Sequence, residues 1–278
     1  MSESLIVAIA VVLGLGIGAE WLSWALRLPS VLVLLVAGFI VGPATGVLDP
    51  DAVLGESLLP LVSVSVAIIL FEGSLSLRLA ELKRSGRAVR RLLTVGLLVT
   101  WAIATVSAVA LFDLGLQVAV LLGAILIVTG PTVIVPLLLH LRPSGRSGPV
   151  LRWEGIVLDP IGALLAVLVF EAISAGGFGL ASAAVVLALF RTVLFGGLLG
   201  ALGAAVVAIS LKRYLIPDSL HSPLALALAV AAFALSDAFQ SDSGLVAVTV
   251  MGIILANQNT VSITHIVEFK ENLRVLLI

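Results

Sequence analysis

The chain has 278 residues, of which 61% are hydrophobic and only 11% charged, with a formal net charge of -1, whereas a soluble domain carries about 25% charged residues. So little charge cannot clothe a water-facing surface, and its near balance offers no basic face for a nucleic acid. The absence of cysteine excludes disulfide frameworks, thiolate metal sites and thiol nucleophiles together.

Apolar runs of roughly 18 to 25 residues, the length that crosses about 30 Å of hydrocarbon, recur between short polar breaks. They predict membrane-spanning helices near 5–23, 31–48, 57–77, 92–112, 117–139, 151–172, 181–211, 223–239 and 243–257, with a tenth beginning near 268. The first run lacks a basic leader and is followed by many more, so it reads as a helix and not as a cleaved signal. The stretch 181–211 is long enough that it must tilt strongly or contain a break. The 26 glycines suit such a bundle, because small residues let helix backbones approach. The predicted fold is thus all-α and polytopic, a single transmembrane domain over 1–278. The end at Leu276-Leu277-Ile278 falls inside an apolar run too short to cross, so a missing C-terminal part is expected.

Connections on the cytoplasmic side collect Lys and Arg, and here alternate loops are basic. Placing the N-terminus outside puts Arg27, then Arg78 to Arg91, then Arg142, Arg146 and Arg152, then Lys212 and Arg213, then Lys270 and Arg274 on the inner side. Only Arg191 lies inside a span, and the outer connections hold Asp49, Asp51, Glu56, Asp113, Glu171 and Asp242 without a basic residue. An error in the number of spans would scramble this alternation. The basic run from Arg78 to Arg91 reads first as a topology-setting loop, with contact to anionic lipid as a second use.

A charge within hydrocarbon costs roughly 2.5 to 3.5 kcal/mol on insertion scales and therefore needs a partner, an aqueous cavity or a function. Glu20 and Glu72 lie near the inner ends of spans, where they can reach water. Glu154 and Asp159 belong to the sixth span, in Trp153-Glu154-Gly155-Ile156-Val157-Leu158-Asp159-Pro160. A helix starting near Leu151 puts Asp159 about 12 Å deep, with no basic residue in its own span at that level. An offset of five residues rotates the two acids by about 140°, so they do not share a face and need separate partners. Pro160 frees the Ile156 carbonyl, and the fifth span carries Thr129-Gly130-Pro131 and then Pro136, so both spans are expected to break near their middles. Irregular backbone at membrane depth is tolerated only when buried in protein or lining water, and transporters use it to coordinate ions. Asp159 is accordingly read as a proton-exchanging cation ligand, and the competing reading is a buried, protonated structural acid.

The segments Phe71-Glu72-Gly73-Ser74-Leu75, Thr129-Gly130-Pro131-Thr132-Val133-Ile134, Glu154 to Pro160 and Ser243 to Gly252 together resemble the cation:proton antiporter superfamily, sodium/proton exchanger branch (NhaP-like). The resemblance runs over nearly the whole chain. It implies inverted repeats, a dimerising scaffold and a mobile core with crossed, unwound helices that carries a monovalent cation against protons by alternating access. It implies scaffold helices over 1–91, the first half of the core over 92–172 and further scaffold over 173–278. By position it implies Asp159 as the acid on which cation and proton compete, Glu154 as a neighbouring core acid and Thr129 as a backbone or hydroxyl ligand. Gly130, Pro131, Gly155 and Pro160 then belong to the helix breaks and core. The family commonly has Asp where this chain has Gly130, Asn where it has Leu158 and Ser where it has Gly155, so fewer polar ligands remain.

These readings predict a multi-pass inner-membrane protein, a homodimer surrounded by lipid, exchanging Na⁺, or else K⁺ or Li⁺, for protons. They call for no enzyme chemistry, no cofactor and no metal beyond the transported ion. His140, His221 and His265 stand far apart without a carboxylate at metal-ligand spacing. Trp21, Trp24 and Trp153 fall near the inner interface and read as belt anchors, whereas Trp101 lies within a span and packs. A cation channel and a non-transporting structural subunit are the alternative functions. An intramembrane aspartyl hydrolase would need two facing acids, which the five-residue offset does not give.

Overall fold

The computed structural model describes residues 2–130, 134, 137–138, 145, 147–174 and 182–259, and helices dominate them. In chain order they are α1 (Ser2–Leu26), α2 (Ser30–Phe39), α3 (Pro50–Leu54), α4 (Leu58–Ser74), α5 (Leu79–Arg91), α6 (Leu97–Phe112), α7 (Leu116–Leu126), α8 (Ser147–Ser174), α9 (Ser182–Lys212), α10 (His221–Phe239) and α11 (Gly244–Asn257). Single π-helical turns, Ile40–Ala44 and Leu92–Gly96, extend α2 and join α5 to α6. Among the described residues, six helices are long and apolar enough to cross a membrane, and Ser30–Ala44, Leu116–Leu126 and Gly244–Asn257 are shorter apolar helices. Each of the nine predicted spans falls on one of these. The tenth, together with Lys270, Arg274 and His265, lies outside the described residues, as do Pro131, Pro136, His140, Arg142 and Arg146.

Several expectations change. Of the two expectations for 181–211 the break falls away and the tilt stands: the stretch holds a single helix of 31 residues from Ser182, about 46 Å long and longer than the hydrocarbon is thick. The sixth span is helical straight through Pro160, because a proline removes only one rung of the ladder and the turns on both sides stay packed, with Leu158 and Leu164 buried. The basic run 79–91 is helix rather than loop, since its apolar side finds a partner in α8: Val89, with Leu77 just before the helix, buries against Trp153 and Ile156. Trp153 is therefore a core residue at 5% exposure, not a belt anchor, while Trp21 and Trp24 are exposed at 65% and 77%. Glu72 does not reach water either, being buried where α11 covers the end of α4.

Two groups of helices share these contacts. In the first, α4, α9, α10 and α11 enclose a core that includes Leu70, Phe71, Val207, Ala229, Val248 and Met251. The seam is made by missing side chains. Gly196, Gly200 and Gly203 recur along one face of α9, and a Cβ at each would strike Val246, Ala247 or Met251 of α11. Gly252 does the same for α11 against Phe71 and Ser74 of α4. With lipid tails as apolar as leucine, this close van der Waals contact holds the helices together. The α10–α11 turn is locked by Ser243, whose hydroxyl donates to the Ser236 and Gln240 carbonyl oxygens at 2.8 and 2.7 Å.

The second group is α5 to α8. Trp101 on α6 packs on α7 at Gly123 and donates its indole N–H to the Val120 carbonyl at 2.9 Å. Asn257 ties the groups together: its amide donates to the Leu77 carbonyl at 2.8 Å, and its oxygen accepts from the Leu79 N–H at 2.7 Å, capping α5 from the far end of α11.

The α9 seam gives an internally controlled test. Gly200→Ala places a methyl group on the Ala247 carbonyl, whereas Gly197→Ala meets nothing within 4 Å. Gly200→Ala is expected to cost about 1–3 kcal/mol or more by overpacking and Gly197→Ala to be neutral or stabilising by up to about 1 kcal/mol, read as thermal midpoints in detergent. The α10–α11 turn gives another. Asp242 sits there with left-handed backbone (φ 63°), and its carboxyl is held above the ordinary range by burial and then by the charges of Asp237 and Glu171. Stability from a group raised in this way is present while it is protonated and is lost as pH rises through its folded-state value. Asp242→Asn keeps a side chain that tolerates this backbone. It should raise the thermal midpoint at neutral pH by roughly 1–3 °C, with the gain vanishing in acid.

Candidate functional site

The fifth span stops being helical where the sequence places the break. α7 ends at Leu126, and Val128, Thr129 and Gly130 lie in no helix. Pro131 lies outside the described residues, but Ile134 beyond it is helical, and its N–H donates to the Gly130 carbonyl at 3.2 Å.

That interruption rests on α8, and two glycines make the fit. A Cβ at Gly155 would lie 2.8 Å from Ile134 Cγ1, and one at Gly162 would lie 2.8 Å from Val128 Cγ2. Positions 155 and 162 are seven residues apart, two turns, and therefore share a face. Val128 and Ile134 flank Thr129 and Gly130, so the unwound backbone lies against α8 between the glycines. Asp159, four residues after Gly155 and three before Gly162, falls on that same face. The gap in α7 and the acid of α8 are thereby brought to one level.

Asp159 is the thirteenth residue of the 28-residue α8, near the middle of a helix about 42 Å long. It is partly buried and makes neither a hydrogen bond nor an ion pair among the described residues. Glu154 is also partly buried. Its Oε1 accepts the Thr129 hydroxyl at 3.2 Å, so the two acids are handled differently, as the rotation between them requires. Thr129 joins the interruption to α8.

The structure thus brings together Thr129, Gly130, Glu154, Gly155 and Asp159, and places buried Pro160 within the same continuous helix. Sequence reading passed over Gly162, although its spacing from Gly155 and Asp159 was available as a signal. It also passed over Asn257, the first of four polar residues, Asn257 to Thr260, that end an apolar run. No group of three or more His, Cys, Asp or Glu able to hold a metal ion occurs among the described residues.

Comparison with known proteins agrees with this architecture. The chain is 27% identical over 242 residues to the K⁺/H⁺ antiporter NhaP2 of Shewanella oneidensis, covering 86% of this chain and 41% of that protein. It is 28% identical over 159 residues to Na⁺/H⁺ antiporter 1 of Methanocaldococcus jannaschii, covering 56% of this chain and 36% of that one. The chain thus spans less than half the length of these two relatives. The fold is similar to that of the sodium proton antiporter MjNhaP1 from Methanocaldococcus jannaschii, with a TM-score of 0.83 and 24% identity over 100% of this chain and 68% of the other. The family model for the transmembrane sodium/hydrogen exchanger matches residues 6–274. Almost nothing of the sequence falls outside that match, and the chain belongs to the transmembrane sodium/hydrogen exchanger family.

Proposed function

We propose that the chain is the N-terminal part of a secondary transporter that exchanges a monovalent cation for protons by alternating access, with Asp159 as the group on which the two compete. The observation that carries this reading is the seating of the interrupted fifth span, through Gly155 and Gly162, on the face of α8 that bears Asp159. An ion that sheds water at mid-membrane needs oxygen ligands there. Backbone carbonyls released from helical pairing, with a carboxylate, are the groups transporters supply for this purpose. A protonated Asp159 binds no cation. Loss of its proton leaves a carboxylate that takes one, and reversal on the other side returns the ion and recovers the proton. Glu154, held by the Thr129 hydroxyl, fixes the interruption against α8 and limits how far Thr129 can turn toward the ion.

Relatives bearing both K⁺/H⁺ and Na⁺/H⁺ names match the chain. The reading takes Na⁺ first, with K⁺ and Li⁺ as the other candidates. The helices α6 to α8 serve as the first half of the moving core, and α1 to α5 with α9 to α11 as scaffold. The contact of α4 with α9–α11 around one buried cluster supports that division. The N-terminus lies outside, the basic connections lie on the inner side of the cell membrane, and the working unit is a homodimer.

Two measurements test this on the full-length protein in vesicles carrying an imposed pH gradient. Wild type should collapse the gradient when Na⁺, K⁺ or Li⁺ is added, with an apparent cation KM that falls as pH rises, because protons compete for the same carboxylate. Asp159→Asn should abolish the response while still folding. Unchanged collapse in that variant refutes the site, and cation current without proton movement would point to a channel. Thr129→Val removes the hydroxyl that Glu154 accepts. A hydrogen bond to a carboxylate is worth about 1.5–3 kcal/mol, so the variant should lose stability of that order and raise the cation KM roughly tenfold or more.

A further inference from the structure

α5 has two faces with different company. Its inward side places Ser85 and Val89 in the interior, Val89 against Trp153 and Ile156 of α8. Its outward side exposes Lys83, Arg87, Arg90 and Arg91. None of these four pairs with a carboxylate among the described residues. A charged helix face that only set topology could lie anywhere in an aqueous loop. This one continues through the π turn Leu92–Gly96 into α6, so its height above the hydrocarbon is fixed.

That height is informative. From Arg87 to Leu92 is five residues, about 7.5 Å of helix, and the headgroup layer on each side of a bilayer is about 5–8 Å thick. Below Arg87 and Arg91, at three- and four-residue spacing, the helix exposes Val95 and Leu98 at 60% and 57%. One stripe therefore reads basic at phosphate depth and apolar at acyl-chain depth, which matches a phospholipid from end to end. An acidic protein segment would meet only the upper half of that stripe.

We propose that the exposed face of α5 is a binding site for anionic phospholipid headgroups of the leaflet it borders, with the acyl chains lying along Val95 and Leu98. The inner face of α5 packs on α8 one residue from Glu154, so lipid bound here braces the start of the helix that carries both acids. The proposal concerns binding and stands apart from the exchange reading.

The test uses the full-length protein in bilayer nanodiscs containing a photoreactive phosphatidylglycerol or, at the same mole fraction, a photoreactive phosphatidylcholine. Phosphatidylglycerol should label the peptide spanning residues 83–98 in excess over phosphatidylcholine, with the excess falling as salt rises. Arg87→Gln with Arg91→Gln should weaken that labelling roughly fivefold for each charge removed, while Lys212→Gln with Arg213→Gln leaves it unchanged. Equal labelling by the two lipids, a double variant that labels like wild type, or a peptide shielded by another protein segment would each overturn the proposal. If the double variant fails to insert, the wild-type comparison of the two lipids and its salt dependence still decides the matter.

Discussion

Two things are intolerable alone in hydrocarbon: a carboxylate and a stretch of backbone without helical partners, each costing several kcal/mol. This chain places one beside the other. Val128 to Gly130 give up the helix at the level where α8 carries Asp159, and the surfaces are pressed together where Gly155 and Gly162 have no side chain to keep them apart. Each defect packs against the element that bears the other. Most of the remaining architecture follows from keeping α7 and α8 in that contact, from the Trp101 clamp on α7 to the α5 pad behind Trp153.

The same device, glycine where backbones must meet, is used for a different purpose in α9. Its three-glycine face and Gly252 of α11 lock α4, α9 and α11 into a block. Such a seam is stiff where Gly196 and Gly200 face backbone carbonyls, those of Ser243 and Ala247. The α7–α8 contact meets side-chain carbons, Val128 Cγ2 and Ile134 Cγ1, and a side chain yields more readily than a backbone carbonyl. The difference suits a still scaffold beside a core that shifts, the division of labour proposed for this chain.

Much of this was legible from residues alone because hydrocarbon thickness and loop charge are strict filters. Nine apolar runs were located, and the Thr129-Gly130-Pro131 break was expected where α7 gives way. What failed were inferences about faces and neighbours. Glu72 was placed by depth near a helix end, but depth does not say whether a side chain turns inward, and this one is buried. Trp153 was assigned to the interface by its place in the sequence, yet the side chain turns in toward α5. Residues 79–91 were read as loop because charge was counted and period was not: Ser85 and Val89, four apart, form an inward stripe that only α8 reveals as useful. Pro160 was overread for the opposite reason, since a local rule about one hydrogen bond was applied to a helix of 28 residues packed on both sides of it.

The pairing pattern of the two acids then separates their proposed roles. An oxygen already accepting a fixed hydroxyl has lost part of its capacity to coordinate anything else, and Glu154 Oε1 is in that position with Thr129. Asp159, lacking a described partner at mid-helix, retains its full capacity and the full need for a positive charge or a proton. Exchange requires an acid that is satisfied only by what it carries, because an acid satisfied by the protein would gain little by binding either. Glu154 would therefore set the geometry and Asp159 would do the exchanging. The five-residue spacing between them, too wide to share a face, is what allows one helix to hold both roles without the two acids competing for the same ion.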